Sequence, residues 1–238
     1  VPLGAAVLAA PVAVTVERRA VTPVVPPKVI ARRGVVAGLI VMLSASGLLV
    51  AAFFLASLYL QAETGLSATA TGLAFLPAAL ATIVGAHAGA RFVGVAGWRP
   101  VARGAFLISA IGLTTAGIGA GAGAGTAVVA IGVMFGAGGV AATFVAATTS
   151  ALTTVDHHES GVVSGIVNTG HELGAALGVA VVSAISTAAS AGIEAIDATG
   201  YQVGFLAAAG LAVVAAGVGS VLLPAGRPDV SQAPMPIH

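Results

Sequence analysis

Apolar residues run along this chain in blocks much longer than a soluble strand needs. Six blocks cover about 34–60, 67–89, 100–119, 126–152, 160–188 and 201–223. Each reaches the roughly 20 residues that carry a helix across a hydrocarbon core of about 30 Å. None alternates apolar and polar residues with period two, as the strands of a membrane barrel do. Backbone groups find no water in lipid, so they bond within each segment and the segments are helices. The pattern therefore predicts an all-α transmembrane protein with six complete spans. Pro100 fits the first turn of its helix, where a missing N–H costs nothing. Pro77, inside the second block, predicts a kink. Residues 1–16 form a shorter apolar stretch, about 24 Å long by helical rise. We read it as the end of a truncated spanning helix, with a short interfacial or re-entrant segment as the alternative. A signal peptide carries its positive charge ahead of the apolar run, whereas Arg18 and Arg19 follow this one.

The connections between blocks set an orientation. The linker 17–33 holds Arg18, Arg19, Lys28, Arg32 and Arg33, the connection after the second block holds Arg91, Arg99 and Arg103, and the tail 224–238 holds Arg227. The loop 153–159 also belongs to this side and has no Lys or Arg. The opposite loops, 61–66, 120–125 and 189–200, have none either, so all nine cations fall on one face. The positive-inside rule assigns that face, and the carboxy terminus with it, to the cytoplasm. The tail is rich in Pro and polar residues and reads as disordered. The glycine run at 119–126 lacks the Gly-Lys-Ser/Thr ending of a phosphate loop and reads as an outer turn.

Composition sharpens this picture. Apolar residues make up 58% of the chain and charged residues 7%, against about 25% charged in a soluble domain. Such a chain cannot cover a globule with polar groups, so lipid solvates most of its surface. A net charge of +1 with scattered cations excludes a nucleic-acid-binding stripe. With no cysteine, disulfides, thiolate metal sites and cysteine nucleophiles are all excluded. Arginine outnumbers lysine eight to one amid abundant Ala, Gly and Val, a composition of GC-rich coding that points to a bacterial cell membrane. No cofactor or metal is implied.

Several short motifs follow one another in order. They are Leu58-Tyr59-Leu60-Gln61 with Gly65, Ser67, Gly72 and Phe75-Leu76-Pro77; Glu17-Arg18-Arg19 with Pro23 to Pro27; Gly89-Ala90-Arg91 with Gly97-Trp98-Arg99; and Ser160-Gly161, Ser164-Gly165, Asn168-Thr169 and Leu173-Gly174. Together they resemble the 14-spanner drug:proton antiporters (EmrB/QacA-like) of the major facilitator superfamily. The resemblance covers roughly residues 15–223. It implies that the six spans are the carboxy-terminal six-helix bundle of a major-facilitator fold, and that an amino-terminal bundle of the same transporter is missing from this chain. It also implies that Gly89, Arg91, Gly97 and Arg99 belong to the superfamily's cytoplasmic loop motif. The acidic residue often found between those arginines is absent here.

The fifth block carries the strongest chemical signal. Glu172 lies about 18 Å from the cytoplasmic end by helical rise, near the midplane, where a charge costs about 2.5–3.5 kcal/mol. Asn168 and Ser164 precede it on the same helical face, and His171 is turned from it by about 100°. One reading makes Glu172 a proton-titrating or cation-contacting group of the central cavity, since a low-dielectric site favours the protonated carboxyl. The other makes it a protonated or His-paired residue that packs helices. Phe54, Gln61 and Phe75 are candidate cavity-lining residues, and Phe53 shares that reading. Gly132 with Gly136, and Gly170 with Gly174 and Gly178, recur at the four-residue spacing that lets helices approach closely in lipid.

Two motif fragments dissolve. His171-Glu172 opens like a zinc-protease helix, but the required second His is Ala175. Asp156-His157-His158-Glu159 reads as a solvated polar loop, without distant ligands to complete a metal site. His87 reads as a snorkelling or hydrogen-bonded side chain. No nucleophile–base pair at matched depth supports an intramembrane enzyme. The expectation is a proton-coupled exporter of small amphipathic or cationic molecules working by alternating access. The alternative is a non-transporting membrane subunit or a truncated relic of a transporter.

Overall fold

The computed structural model describes Thr15 and residues 26–153, 155–190 and 195–227, apart from the side chain of His157. Thr15 excepted, the expected truncated helix at 1–16 lies outside the described residues, as do Glu17-Arg18-Arg19 and residues 228–238. Among the described residues all regular structure is helical. A single turn, α1 (Pro27–Ile30), leads into α2 (Arg33–Ala62), α3 (Ala68–Ala74), α4 (Leu76–Ala96), α5 (Trp98–Gly121) and α6 (Thr126–Leu152). A 3-10 turn at His157–Glu159 precedes α7 (Ser160–Ala189), and α8 (Ala198–Leu222) follows. With α3 and α4 counted as one span, six helices are long and apolar enough to cross a membrane.

Local chemistry sets the ends. Ser67 caps α3, its Oγ accepting from the Ala70 N–H at 3.2 Å, and Asp197 caps α8 by accepting from the Gly200 N–H at 2.8 Å. The second span differs from the expected 67–89. Pro77 has no N–H to continue the ladder, and its ring excludes the carbonyl four residues back. The helix therefore stops at Phe75 and restarts, with Phe75 N–H on Gly72 O at 3.2 Å and Ala79 N–H on Phe75 O at 3.0 Å. It then runs on to Ala96, which puts Arg91 on a helix rather than in a loop. The connection shrinks to Gly97, held at φ +90°, where a side chain would also collide with the Gly226 carbonyl. Arg99 and Arg103 are likewise helical, in the first turns of α5.

The helices pack as two matching sets of three. α2 and α6 form a central pair, and α5 and α8 pack on each other beside it. α7 lies against α2, and α4 lies against α6. Exchanging α2, α4 and α5 for α6, α7 and α8 thus reproduces the same neighbours. Successive spans alternate in direction, so a repeat of three must be inverted. The backbone crossings confirm the exchange. A Cβ on Gly47 would lie 2.9 Å from the Gly174 carbonyl, and one on Gly178 would overlap the Gly47 carbonyl. In the other set, a Cβ on Gly138 would lie 3.2 Å from the Ala81 carbonyl, and one on Gly85 would overlap the Gly138 carbonyl.

Association of helices in lipid rests on this close contact, because lipid tails are as apolar as the side chains they replace. A Cβ on Gly170 would meet Leu39 Cδ1 at 2.5 Å, and one on Gly174 would run into the Leu43 carbonyl. At Gly132 it would meet the Ala116 nitrogen at 2.5 Å. Gly136 is different: a Cβ there would touch Leu113 at an ordinary 3.5 Å, and its carbonyl accepts from Ser109 Oγ at 3.0 Å.

The cation-bearing segments meet at one end of the bundle. Arg33 donates to the Val221 carbonyl at 3.0 Å, and Arg99 donates to the Leu223 carbonyl at 2.6 Å. Both arginines thus satisfy carbonyls left open at the end of α8, where the helix dipole also favours positive charge. Arg32 pairs with Glu159 through two contacts of 2.7 and 3.3 Å, which brings the 153–159 loop to the same end. Trp98 closes this end by donating from Nε1 to Thr149 Oγ1 at 3.0 Å.

Candidate functional site

α7 is apolar enough to span and lies at the periphery of the bundle. One edge, Val163, Val167, Gly170 and Gly174, is buried. Gly170 and Gly174 on that edge face Leu39 and Leu43 of α2. Ser46 Oγ on α2 donates to the His171 carbonyl at 2.7 Å and fixes the register of the two helices at that depth. The two flanks of α7 differ. Leu177 and Val181 border an apolar groove shared with α2 and α8. The other flank turns toward α6, where the His171 ring lies 5.6 Å from that of Phe144.

The polar stripe runs beside this second flank. Ser164, Asn168 and Glu172 are all exposed, at successive four-residue steps. The Glu172 side chain is 71% exposed, and its Oε1 lies 3.4 Å from His171 Nδ1. That distance permits a weak polar contact and no strong hydrogen bond. Among the described residues, no helix encloses Glu172. The carboxylate, the Asn168 amide and the Ser164 hydroxyl form one open polar face that runs from the first turns of α7 to near its middle.

The aromatic candidates lie on α2 and at the α3–α4 break. Phe53 on α2 packs edge-on against Phe75, at the break between α3 and α4, with centroids 5.0 Å apart. Phe54 is partly buried against the core. Gln61 stands elsewhere. It lies fifteen residues beyond Ser46 along α2, about 22 Å by helical rise, and folds back to donate to Ser57 Oγ at 2.9 Å. The structure therefore joins His171 with Glu172 and Phe53 with Phe75, and leaves Gln61 at the far end. Of the loop-motif residues, Gly89 lets α4 touch Ala142 of α6, Gly97 makes the turn, Arg99 holds the end of α8, and Arg91 is exposed.

Sequence reasoning missed Phe144 and Ser46. Phe144 is one apolar residue among many, and only the fold brings it to His171. Ser46 was visible as a hydroxyl within an apolar run, a residue that in lipid tends to bond across helices. Asp156, His158 and Glu159 bring their ligand atoms within 4.8 Å of one another. Glu159 is already neutralised by Arg32 at 2.7 Å, which weakens any pull on a cation.

An apolar bundle of inverted three-helix sets, with an open polar face that reaches near mid-depth, is a transporter architecture. The pattern of the Major Facilitator Superfamily matches residues 38–235 of the chain. The puromycin resistance protein of Streptomyces alboniger is 33% identical over 226 residues, covering 87% of this chain and 44% of the relative. The chain thus spans less than half the length of that curated relative. The family match takes in all six spans but the first residues of α2, and by it this chain belongs to the Major Facilitator Superfamily.

Proposed function

We propose that this chain forms one wall of a bacterial exporter that expels small amphipathic or cationic molecules by alternating access, coupled to protons. Family membership makes it a multi-pass membrane protein of a transporter family rather than an enzyme. Export is supported by the relative named for puromycin resistance. The observation that carries the mechanism is the exposed stripe Ser164, Asn168 and Glu172, which reaches near mid-helix at Glu172, on a chain otherwise built for lipid. A carboxylate at this depth is stable only beside water, a partner or a proton. In our reading this chain is the carboxy-terminal bundle of a 14-spanner drug:proton antiporter. An amino-terminal bundle covers the face bearing the stripe, and the substrate binds between the two.

In this scheme Glu172 exchanges its proton as the cavity opens to alternate sides, and His171 and Asn168 hold it within the cavity. Phe53, Phe75 and Phe144 supply apolar contact for the substrate. The cation-bearing end is cytoplasmic. Export by the full-length transporter in proteoliposomes with an imposed pH gradient tests the scheme. Glu172→Gln should abolish gradient-driven export while the protein keeps its yield and thermal stability. Export with an unchanged pH dependence would overturn the role of Glu172. Orientation has its own test, since these 238 residues contain no cysteine. Cysteines placed singly at Ala122 and Asp156 should react from opposite sides of intact cells, and labelling from one side would contradict the topology.

A further inference from the structure

The arginines at the cation-bearing end fall into two classes. Arg32, Arg33 and Arg99 have protein partners, namely Glu159 and the terminal carbonyls of α8. Arg91 and Arg103, like Arg227 beside the Gly97 turn, are exposed, and among the described residues none of the three makes a hydrogen bond or ion pair. Arg91 and Arg103 flank Gly97 at six residues on either side, so each lies about 9 Å below the turn by helical rise. Long arginine stems reach from that depth to the headgroup layer.

An apolar groove of about 530 Å³ opens between α4, α5 and α6, and Arg103 immediately precedes Gly104 of its α5 wall. Its wall on α4 runs from Ala96 to Ala81, fifteen residues, or about 22 Å. That exceeds one leaflet's share, about 15 Å, of the hydrocarbon core. Small residues floor the groove, Gly85, Gly89, Gly104 and Gly138 among them, while Val84, Phe92, Ile108 and Phe135 form exposed rims. Arg91 sits on the surface directly adjoining it, next to Val84, Ala88 and Phe92. The counterpart groove between α2, α7 and α8 has a similar apolar lining in about 310 Å³. Its hairpin, α7 to α8, turns at the opposite end of the bundle, away from the arginines.

We propose that the α4–α5 hairpin holds an anionic phospholipid, with its phosphate between Arg91 and Arg103 and one acyl chain in the groove. Charge complementarity selects this occupant. Exposed guanidinium groups favour a phosphate through paired N–H donors, and, with the cation-bearing end cytoplasmic as proposed above, the anionic inner leaflet supplies it at this depth.

The test uses the full-length transporter in detergent, mixed with equal phosphatidylglycerol and phosphatidylcholine, with bound lipid read by native mass spectrometry. Each cation near the surface is worth about fivefold for anionic lipid, so the pair should give a preference of roughly 25-fold. Arg91→Gln with Arg103→Gln should remove the preference, and Lys28→Gln should leave it. Gly104→Leu should lower phosphatidylglycerol retention by filling the groove, since a Cβ there meets no atom within 4 Å and the helix keeps its fold. Equal retention of the two lipids by the unmodified protein would overturn the site. So would displacement of the lipid by millimolar inorganic phosphate, which would mark a bare anion site, or an unaltered preference in the double variant.

Discussion

The crossing of α2 with α7 and that of α6 with α4 share one backbone solution and differ in chemistry. Both press a glycine of the outer helix onto a carbonyl of the inner one, Gly178 on Gly47 and Gly85 on Gly138. The α2–α7 crossing adds the Ser46 bond to the His171 carbonyl and displays Asn168 and Glu172 beside it. On α4, Thr82 and His87 bond to carbonyls of their own helix, Ala79 and Ile83. Packing and chemistry are therefore separable here. The repeat supplies a frame twice, and only one copy carries a carboxylate.

The comparison breaks most readily at its glycines. Gly178→Ala and Gly85→Ala each drive a methyl into a neighbouring backbone, and each should cost about 2 kcal/mol. Thermal unfolding of the full-length protein in detergent reads this. Loss at one position and tolerance at the other would show that the two crossings are not equivalent. Gly210→Ala, where a Cβ meets open space, should be neutral or gain up to about 1 kcal/mol from helix propensity.

Smaller effects sharpen the difference between the sets. Arg99→Gln removes a charged donor from the Leu223 carbonyl and should cost about 1.5 kcal/mol. It acts at the joined ends of α5 and α8, so it should leave lipid preference at Arg91 and Arg103 unchanged. Ser46→Ala removes the polar link found at only one crossing and should cost about 0.6 kcal/mol, the usual worth of such bonds in membranes. Glu172→Gln should change stability by less than about 0.5 kcal/mol, because the side chain is largely exposed. A large loss of stability there would make Glu172 a packing residue and merge the two roles separated above.

Much of the architecture was legible in the residues. Six spans, their approximate bounds and the gathering of cations at one end all follow from lengths and charges. The Pro77 break was anticipated as a kink, and the glycine spacings were visible. The site was legible only in part. Glu172, Asn168 and Ser164 share a face because helical geometry is local. That Phe144 meets His171, and that Gln61 stands far from both, depends on which helices adjoin. The expected loop around Arg91 is a helix because Gly97 makes the turn alone. A one-residue connection leaves no compositional trace, since arginine is as helical as its neighbours.

What the chain specified by itself is the number and approximate length of the spans among the described residues. Water rejects long apolar runs and lipid rejects unpaired backbone, so these conditions act on each segment separately. Which side of each helix faces protein was decided only by assembly. A helix that is apolar all round has no amphipathic stripe to point inward. The choice falls to the fit of backbones at Gly47, Gly85, Gly138 and Gly178, and to the few polar groups that find partners or are left without them. For that reason the open stripe on α7 and the exposed arginines of the α4–α5 hairpin could be recognised only in three dimensions.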